Sequence, residues 1–107
     1  MRIIVKTIFE DKHCWPAAPE EVAFLRNIHR HLFNVEVSCE VAHDDRELEF
    51  FMVKKVLDEI IRSQILLLPI SKSCEQMGLV IKKALKEKYD REFVVRIFED
   101  NENGVEV

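Results

Sequence analysis

The strict alternation of apolar and polar residues between positions 31 and 42 is the feature that most limits how this chain can fold. Apolar residues occupy every second position, at Phe33, Val35, Val37, Cys39 and Val41. The positions between them carry Asn34, Glu36, Ser38 and Glu40. Successive side chains of a β-strand point to opposite faces. The segment therefore predicts a strand over 31–42 with one apolar and one polar face.

A strand is also predicted near the start of the chain, at residues 2–9, where β-branched and aromatic residues dominate. The residues of one parity there are Ile3, Val5, Thr7 and Phe9. Residues 10–28 break the pattern and contain Pro16 and Pro19. They predict a long connection with a helical turn at 19–26. Connections of this length are uncommon unless they have a function.

Two helices are predicted in the middle of the chain. The first starts near Asp44, which is placed to cap it while Glu47 reaches back as in a capping box, and it extends to about residue 62. Its apolar stripe is Val53, Val56, Leu57, Ile60 and Ile61. After Pro69, either Ser71 or Ser73 is placed to cap the second helix. The apolar positions of that helix are Met77, Val80, Ile81, Ala84 and Leu85.

The last part of the chain predicts a strand at 92–98, a turn from Asn101 to Gly104, and a short returning strand at 105–107. The predicted element order is ββααββ, an α+β arrangement. A length of 107 residues suits a single domain covering 1–107 and leaves no room for two.

Charge and composition exclude several classes of partner. The apolar fraction of 48% and charged fraction of 34% are those of a globular domain. The formal net charge of -4 argues against binding nucleic acid through its phosphates, which needs a basic face. The longest apolar run, from Ile65 to Ile70, is far shorter than the roughly 20 residues of a membrane span.

The three cysteines, Cys14, Cys39 and Cys74, include no C-x-x-C pair and are odd in number. The first residues contain no long apolar run of the kind found in a signal peptide. Reduced thiols in the cytoplasm are the simplest interpretation of these features.

Three histidines form a candidate metal site. His29 and His31 have the same parity at the entrance to the strand, so their rings leave one face together. His13 follows the first strand and would add a third imidazole from a loop. Three nitrogen ligands leave a fourth tetrahedral position open, as in zinc sites that accept water or a ligand. His43, beside two aspartates, is assigned an ordinary structural role.

This histidine pattern resembles that of the 6-pyruvoyl-tetrahydropterin synthase and 6-carboxytetrahydropterin synthase family, in which an upstream histidine and an H-x-H pair bind zinc. Residues 73–76 (Ser-Cys-Glu-Gln) lie where the family has its P-T-x-E motif. Residues 95–99 (Val-Arg-Ile-Phe-Glu), followed by Gly104, resemble the family's V-x-V-x-E-T…G ending. The resemblance covers nearly the whole chain.

The resemblance implies a T-fold-like subunit, an antiparallel sheet with two helices on one face, which associates into a closed homo-oligomer. It implies Zn²⁺ on His13, His29 and His31, and ligand contacts from Glu99, Glu75 and Ser73. In the family the glutamate matching Glu99 anchors the pterin ring, and a carboxylate accepts two N–H bonds strongly when desolvated. The alternatives are a solvated acid at Glu99 and a helix-capping role at Glu75.

Other residues depart from the family pattern. The nucleophilic cysteine of the family lies four positions before its H-x-H pair, where this chain has Leu25. The Asp-His couple that the family carries between its helices has no counterpart in residues 62–69. Cys14 is the nearest substitute nucleophile by sequence, but structural burial is the favoured role for it as for the other thiols. Arg30 replaces the usual glycine and would either narrow the pocket or offer a cation to an anionic ligand.

The resemblance and these departures from it imply two possible functions. The first is a zinc-containing binding protein for a pterin- or purine-like small molecule that lacks the usual nucleophile. The second is a divergent zinc-dependent synthase or lyase acting on dihydroneopterin triphosphate or a related nucleotide-derived substrate. A structural oligomer with a vestigial site is a third and weaker possibility.

Overall fold

Four strands form one antiparallel sheet in the order β1-β2-β3-β4, and a computed structural model describes this arrangement for residues 1–107. The strands are β1 (Arg2–His13), β2 (His29–Glu40), β3 (Phe93–Glu99) and β4 (Asn103–Glu106). Between β2 and β3 lie α1 (Phe50–Ile60) and α2 (Cys74–Tyr89). A 3₁₀ helix, Glu20–Arg26, interrupts the connection between β1 and β2. The predicted ββααββ order of an α+β protein is confirmed.

Both helices cover the same face of the sheet, the one that carries the odd-numbered strand residues. Residues such as Val5, Phe33 and Val95 are buried there against helix residues such as Leu57 and Ile81. Burying one side chain of this size contributes roughly 1.5–3 kcal/mol. The alternation in the sequence therefore corresponds to a real division between a helix-covered face and an open face.

The open face carries a row of alternating charges across all four strands. Lys6, Glu36, Arg96 and Glu106 are direct cross-strand partners in successive strands. Their ion pairs measure 3.2, 2.9 and 2.7 Å from β1 to β4. Opposite charges placed directly across from each other favour one register of the ladder.

The β1–β2 hairpin is longer than the rest of the sheet. Its register extends from Arg2 opposite Glu40 to His13 opposite His29, whereas β3 begins to pair with β2 only at Phe33. The molecule measures 51 × 24 × 19 Å as a result. The end of the hairpin at His13 and His29, which residues 14–28 connect, lies beside the N-terminus of α2 and the β3–β4 turn.

The strand boundaries differ from the predicted ones in a way that matters for function. The strand predicted at 2–9 continues to His13, so His13 ends a strand instead of lying in a loop. The strand predicted at 31–42 begins at His29 and ends at Glu40. The extension is polar, and only its pairing with the facing strand makes it regular.

The predicted start of the first helix was wrong. Glu49, not Asp44, caps α1 by accepting from the backbone N–H groups of Phe51 at 3.0 Å and Met52 at 2.9 Å. Glu47 instead accepts from the N–H of Ala42 and pairs with Arg91. The last turn of this helix widens into a π-helical segment, Ile61–Ile65.

The second helix begins with one of the two predicted caps. Ser73 accepts from the Gln76 N–H at 3.2 Å, and the Gln76 side chain accepts from the Ser73 N–H at 3.0 Å. This is a capping box. No helix in the chain combines the length and the apolar character that crossing a membrane requires.

The turn between β3 and β4 comes one residue earlier than predicted. Asp100 and Asn101 both have left-handed backbone conformations, with φ of 51° and 58°. The Glu102 N–H donates to the Glu99 carbonyl at 2.9 Å. Two left-handed central residues define a type I′ hairpin turn, in which Asp and Asn are favoured. The turn holds Glu99 and Asp100 against the end of β2.

Candidate metal centre and ligand cleft

The three predicted histidines lie together on the helix-covered face, at the end of the β1–β2 hairpin where residues 14–28 connect the two strands. His13 faces His29 across the ladder, and His31 is two residues further along β2. Their candidate ligand nitrogens all lie within 4.8 Å of one another. The ring centroids are 4.6 Å apart for His13 and His29, and 5.0 Å apart for His29 and His31. The cluster is therefore a site where three imidazoles can bind one metal ion.

Each of the three imidazoles donates its Nδ1 proton to an oxygen. The Nδ1 of His13 lies 3.0 Å from the Lys72 carbonyl, and that of His29 lies 2.7 Å from the Asn27 carbonyl. The Nδ1 of His31 lies 2.7 Å from Asp100 Oδ2. These oxygens accept and cannot donate, so each Nδ1 carries a proton, and in the neutral imidazole each Nε2 then carries a lone pair.

This arrangement fits a bound metal. Metal-binding histidines almost always donate their second ring nitrogen to a carboxylate or carbonyl, which fixes both tautomer and orientation. The Nε2 of His31 is buried and has no hydrogen-bond partner. A buried polar atom without a partner is costly, and a metal ion at the cluster would satisfy it.

Burial also keeps His13 in the form that a metal requires. Burial lowers the pKa of His13 below its ordinary value, and the Lys72 carbonyl and the Glu99 carboxylate oppose this effect only in part. The neutral imidazole is the form that binds a metal.

A buried ion pair supports the His13 side of the cluster. The Lys72 Nζ lies 2.8 Å from Asp11 Oδ2, and the Lys72 side chain is only 3% exposed. The angles do not suit a hydrogen bond, so charge holds the two groups together. The pair fastens the segment before α2 to β1, which places the Lys72 carbonyl against His13.

A cleft of about 500 Å³ opens beside the histidines. The predicted ligand-binding residues Glu99, Glu75 and Ser73 all line it. The Ser73 hydroxyl is engaged in capping α2, and Glu75 is exposed in the first turn of that helix. The cleft therefore brings Glu99, Glu75 and Ser73 together, with Glu99 alone in contact with the metal cluster.

Glu99 lies between the cleft and the histidines. Its Oε1 is 3.2 Å from the His13 Nε2, and its Oε2 is 3.6 Å from the His31 Nε2. The Cys74 thiol donates to Oε1 across 3.6 Å. The Glu99 side chain is 33% exposed, so it can reach either a metal ion or a molecule in the cleft.

Aromatic and aliphatic side chains form the apolar part of the cleft. Trp15, Leu25 and Val105 line it. The backbone N–H of Trp15 donates to the backbone carbonyl of Leu25 at 2.7 Å, which joins the two ends of this wall. Leu25 therefore contributes an aliphatic residue to the lining of the cleft, and no nucleophile.

The Cys74 thiol beside the cleft is not an activated nucleophile. Burial, with a further contribution from Glu99, raises the pKa of the Cys74 thiol to about 12. Cys14 lines the cleft but is buried. A thiol must ionise to act as a nucleophile, so Cys74 remains a protonated hydrogen-bond donor.

Two predicted possibilities lie outside the cleft. Arg30 neither narrows the pocket nor offers it a cation, because it points to the open face and pairs with Glu10 at 3.1 Å. Its even position in β2 dictates this direction. His43 is exposed and its Nδ1 accepts from the Asp45 N–H, away from the cluster, so it takes no part in the site.

The sequence analysis missed the residues that orient the histidines, namely Asp11, Asn27, Lys72 and Asp100. Only Asp100 could have been recognised from the sequence, because an acid that directly follows a strand can accept hydrogen bonds from the neighbouring strand.

The scan against models of known protein families gives no match, and the search of the curated proteins finds no relative. The case for a metal and for a ligand rests on the geometry described above.

Replacing Asp100 with Asn should weaken metal binding. The Asn amide can still accept from the Leu32 N–H, as Asp100 does at 2.9 Å. The remaining N–H₂ group would then face the His31 Nδ1 and favour the tautomer that carries its proton on Nε2. Loss of such an orienting partner typically lowers metal affinity ~10–100-fold. Competition with a chromophoric chelator measures the change for zinc.

Glu102→Gln is the matched control for this experiment. Glu102 is exposed in the same turn and makes no side-chain contact with the cluster. Equal zinc affinity in Asp100→Asn and Glu102→Gln would contradict the role given to Asp100.

Proposed function

We propose that this chain is a zinc-containing binding protein for a planar pterin- or purine-like heterocycle. The observation that carries the proposal is the cluster of His13, His29 and His31, whose Nδ1 atoms are all hydrogen-bonded and whose candidate ligand nitrogens lie within 4.8 Å of one another. Three imidazoles without a thiolate suit zinc and other borderline metals. Among these, zinc characteristically takes three protein ligands and keeps a fourth position for an exchangeable group.

We further propose that the chain is a divergent member of the 6-pyruvoyl-tetrahydropterin synthase family. The ββααββ order supports this, as does the position of Leu25 in the cleft, where the family's nucleophile would lie. Ser73 opens α2 and Glu99 ends β3, each where the family motif expects a ligand-binding residue.

Glu99 and the apolar wall of the cleft favour a flat heterocycle as the ligand. A carboxylate accepts two parallel N–H bonds from the amidine edge of a pterin or guanine, and such charge-assisted bonds are strong and directional. Trp15, Leu25 and Val105 offer apolar surface to the ring.

The charges around the cleft favour a ligand without phosphate groups. Lys72 is the only Lys or Arg side chain that lines the cleft, and its ammonium group is paired with Asp11. Glu75 and Glu99 add negative charge there. A triphosphate needs unpaired cations, which this subunit does not supply.

Several observations favour binding over catalysis. Leu25 cannot act as a nucleophile, and the Cys74 thiol stays protonated because its pKa is raised to about 12. Residues 62–69 contain no Asp or His to move a proton. General acid–base groups typically contribute ~10²–10⁴-fold to a rate.

The alternative function is a divergent zinc-dependent synthase or lyase acting on dihydroneopterin triphosphate or a related substrate. Cys14 favours this alternative, because it lines the cleft directly after a proposed zinc ligand. When bound, zinc would supply a Lewis acid for a substrate oxygen or for water.

A homo-oligomer is part of the proposal. Neither β1 nor β4 has a partner on its outer edge, and exposed edges favour association. The accessible surface of 6973 Å² exceeds the about 6,200 Å² typical of a monomer of this mass. Large apolar side chains such as Phe51, Leu67 and Leu79 are exposed on the helical layer.

Metal analysis of the purified protein tests the zinc proposal. We expect close to one zinc ion per chain, and a sharp loss of affinity when His13, His29 or His31 is replaced by Ala, because each change removes one ligand. His43→Ala is the control and should retain the metal. A chain that takes up no zinc, or histidine variants that bind as tightly as the wild type, would sink the proposal.

Replacing Glu99 with Gln should weaken heterocycle binding. The shape is retained but the charged acceptor is lost, which corresponds to about 1.5–3 kcal/mol. Calorimetry with 7,8-dihydroneopterin and with guanosine, at saturating zinc so that metal occupancy is equal, measures the effect. Glu102→Gln should leave affinity unchanged, and equal affinity in Glu99→Gln would remove Glu99 from the binding site.

Turnover of dihydroneopterin triphosphate distinguishes the two functions. We expect zinc-loaded protein to show at most residual activity, because Leu25 cannot act as a nucleophile and residues 62–69 contain no Asp-His couple. Chromatographic product analysis of the wild type beside Cys14→Ala measures it. Robust turnover that disappears in Cys14→Ala would favour the enzyme.

Sedimentation analysis at micromolar concentration tests the association. We expect a closed homo-oligomer, because pairing of the outer edges of β1 and β4 between subunits satisfies their backbone groups. A monodisperse monomer would contradict this expectation.

A further inference from the structure

The Glu99 carboxylate faces the Nε2 atoms of two imidazoles whose Nδ1 atoms are already engaged. The Nδ1 protons of His13 and His31 are donated to the Lys72 carbonyl and to Asp100. In the neutral rings that bind a metal, the Nε2 atoms present lone pairs to Glu99, at 3.2 and 3.6 Å from its two oxygens. Acceptors that face acceptors repel each other, and this repulsion strengthens in a partly buried site.

A metal ion placed between these groups would convert the repulsion into coordination. Two atoms bound to one tetrahedral zinc at 2.0–2.1 Å lie about 3.3 Å apart. The two separations between Glu99 and the histidines, 3.2 and 3.6 Å, lie on either side of this value. The first distance belongs to Oε1 and the second to Oε2, so Oε2 lies within a few tenths of an ångström of the spacing that a further ligand has beside His31.

The surroundings of Glu99 hold its carboxylate in this position. The Cys74 thiol donates to Oε1, and its raised pKa means that it keeps the proton it donates. Oε2 is then the oxygen that remains for a metal. The type I′ turn after Glu99 fixes the backbone on its other side.

We propose that Glu99 is the fourth ligand of the zinc ion while the cleft is empty. This inference rests on the zinc site of the proposed function and adds a state to it. A heterocycle that takes both oxygens of Glu99 must first displace the carboxylate from the metal, which opens a coordination position as the cleft fills. The four coordination positions of the zinc ion are then all filled while the cleft is empty, and one of them becomes available when a heterocycle occupies the cleft.

Zinc affinity and the visible spectrum of the cobalt-substituted protein test this proposal. We expect Glu99→Gln to lower zinc affinity by at least about 100-fold, the upper end of what a residue that only orients a ligand contributes. The d–d bands of bound Co²⁺ should also change, because one anionic ligand is lost. Glu102→Gln removes one negative charge from the β3–β4 turn that follows Glu99, and it should change neither the zinc affinity nor the cobalt spectrum.

The possible outcomes separate this inference from the proposed function. A wild-type chain that binds no zinc would overturn both. Zinc binding that is equally tight in Glu99→Gln, with an unchanged cobalt spectrum, would overturn only the role of Glu99. If Glu99→Gln does not fold, a crystal structure of the zinc-loaded wild type decides. A distance from zinc to Oε2 of about 2.0–2.2 Å supports the proposal, and a distance beyond about 3 Å overturns it.

Discussion

The register of the β1–β2 ladder is the constraint on which the candidate site depends. Because His13 faces His29 and both are odd-numbered, one ladder delivers His13, His29 and His31 to the same face. A slip of one residue in β1 would move His13 to the open face and destroy the cluster, since side chains alternate with a period of two. The core fixes this register from the other end of the hairpin, where Val5 opposite Val37 is buried under the helices. The packing also continues up to the site, because the buried ring of Phe33 lies 5.4 Å from that of His13 and 5.6 Å from that of His31.

The orientation of the imidazoles depends on parts of the chain that are distant in sequence. His13 is oriented by the segment before α2, and His31 by the turn after β3. The site is therefore complete only when the helices and the last hairpin have docked on the first two strands. The Lys72–Asp11 pair links this assembly to stability, because removing one partner of a buried ion pair typically costs about 3–5 kcal/mol.

The sequence allowed prediction of whatever depends on local periodicity. The alternation in β2 gave its two faces, and the same parity put His29 and His31 together. Local signals failed where a tertiary contact decides the outcome. Asp44 was a reasonable cap by sequence, yet Glu47 is drawn away by Arg91 and the helix starts later. Likewise, nothing in the local sequence indicates that Lys72 is buried, because its partner lies 61 positions earlier in the chain.

The charges at the site bear on what a metal ion could do there without a nucleophile. Glu99 and Glu75 line a cleft whose only cationic side chain, Lys72, is already paired. A doubly charged metal on neutral imidazoles would therefore be the main positive charge available to anything that binds there. Such a metal can hold and orient an oxygen of a ligand without any nucleophile, because coordination needs only a lone pair and an open position. A histidine cluster without an activated nucleophile is thus chemically consistent, and under the proposed function an uncharged heterocycle with both an oxygen and an amidine edge would satisfy the metal and Glu99 together.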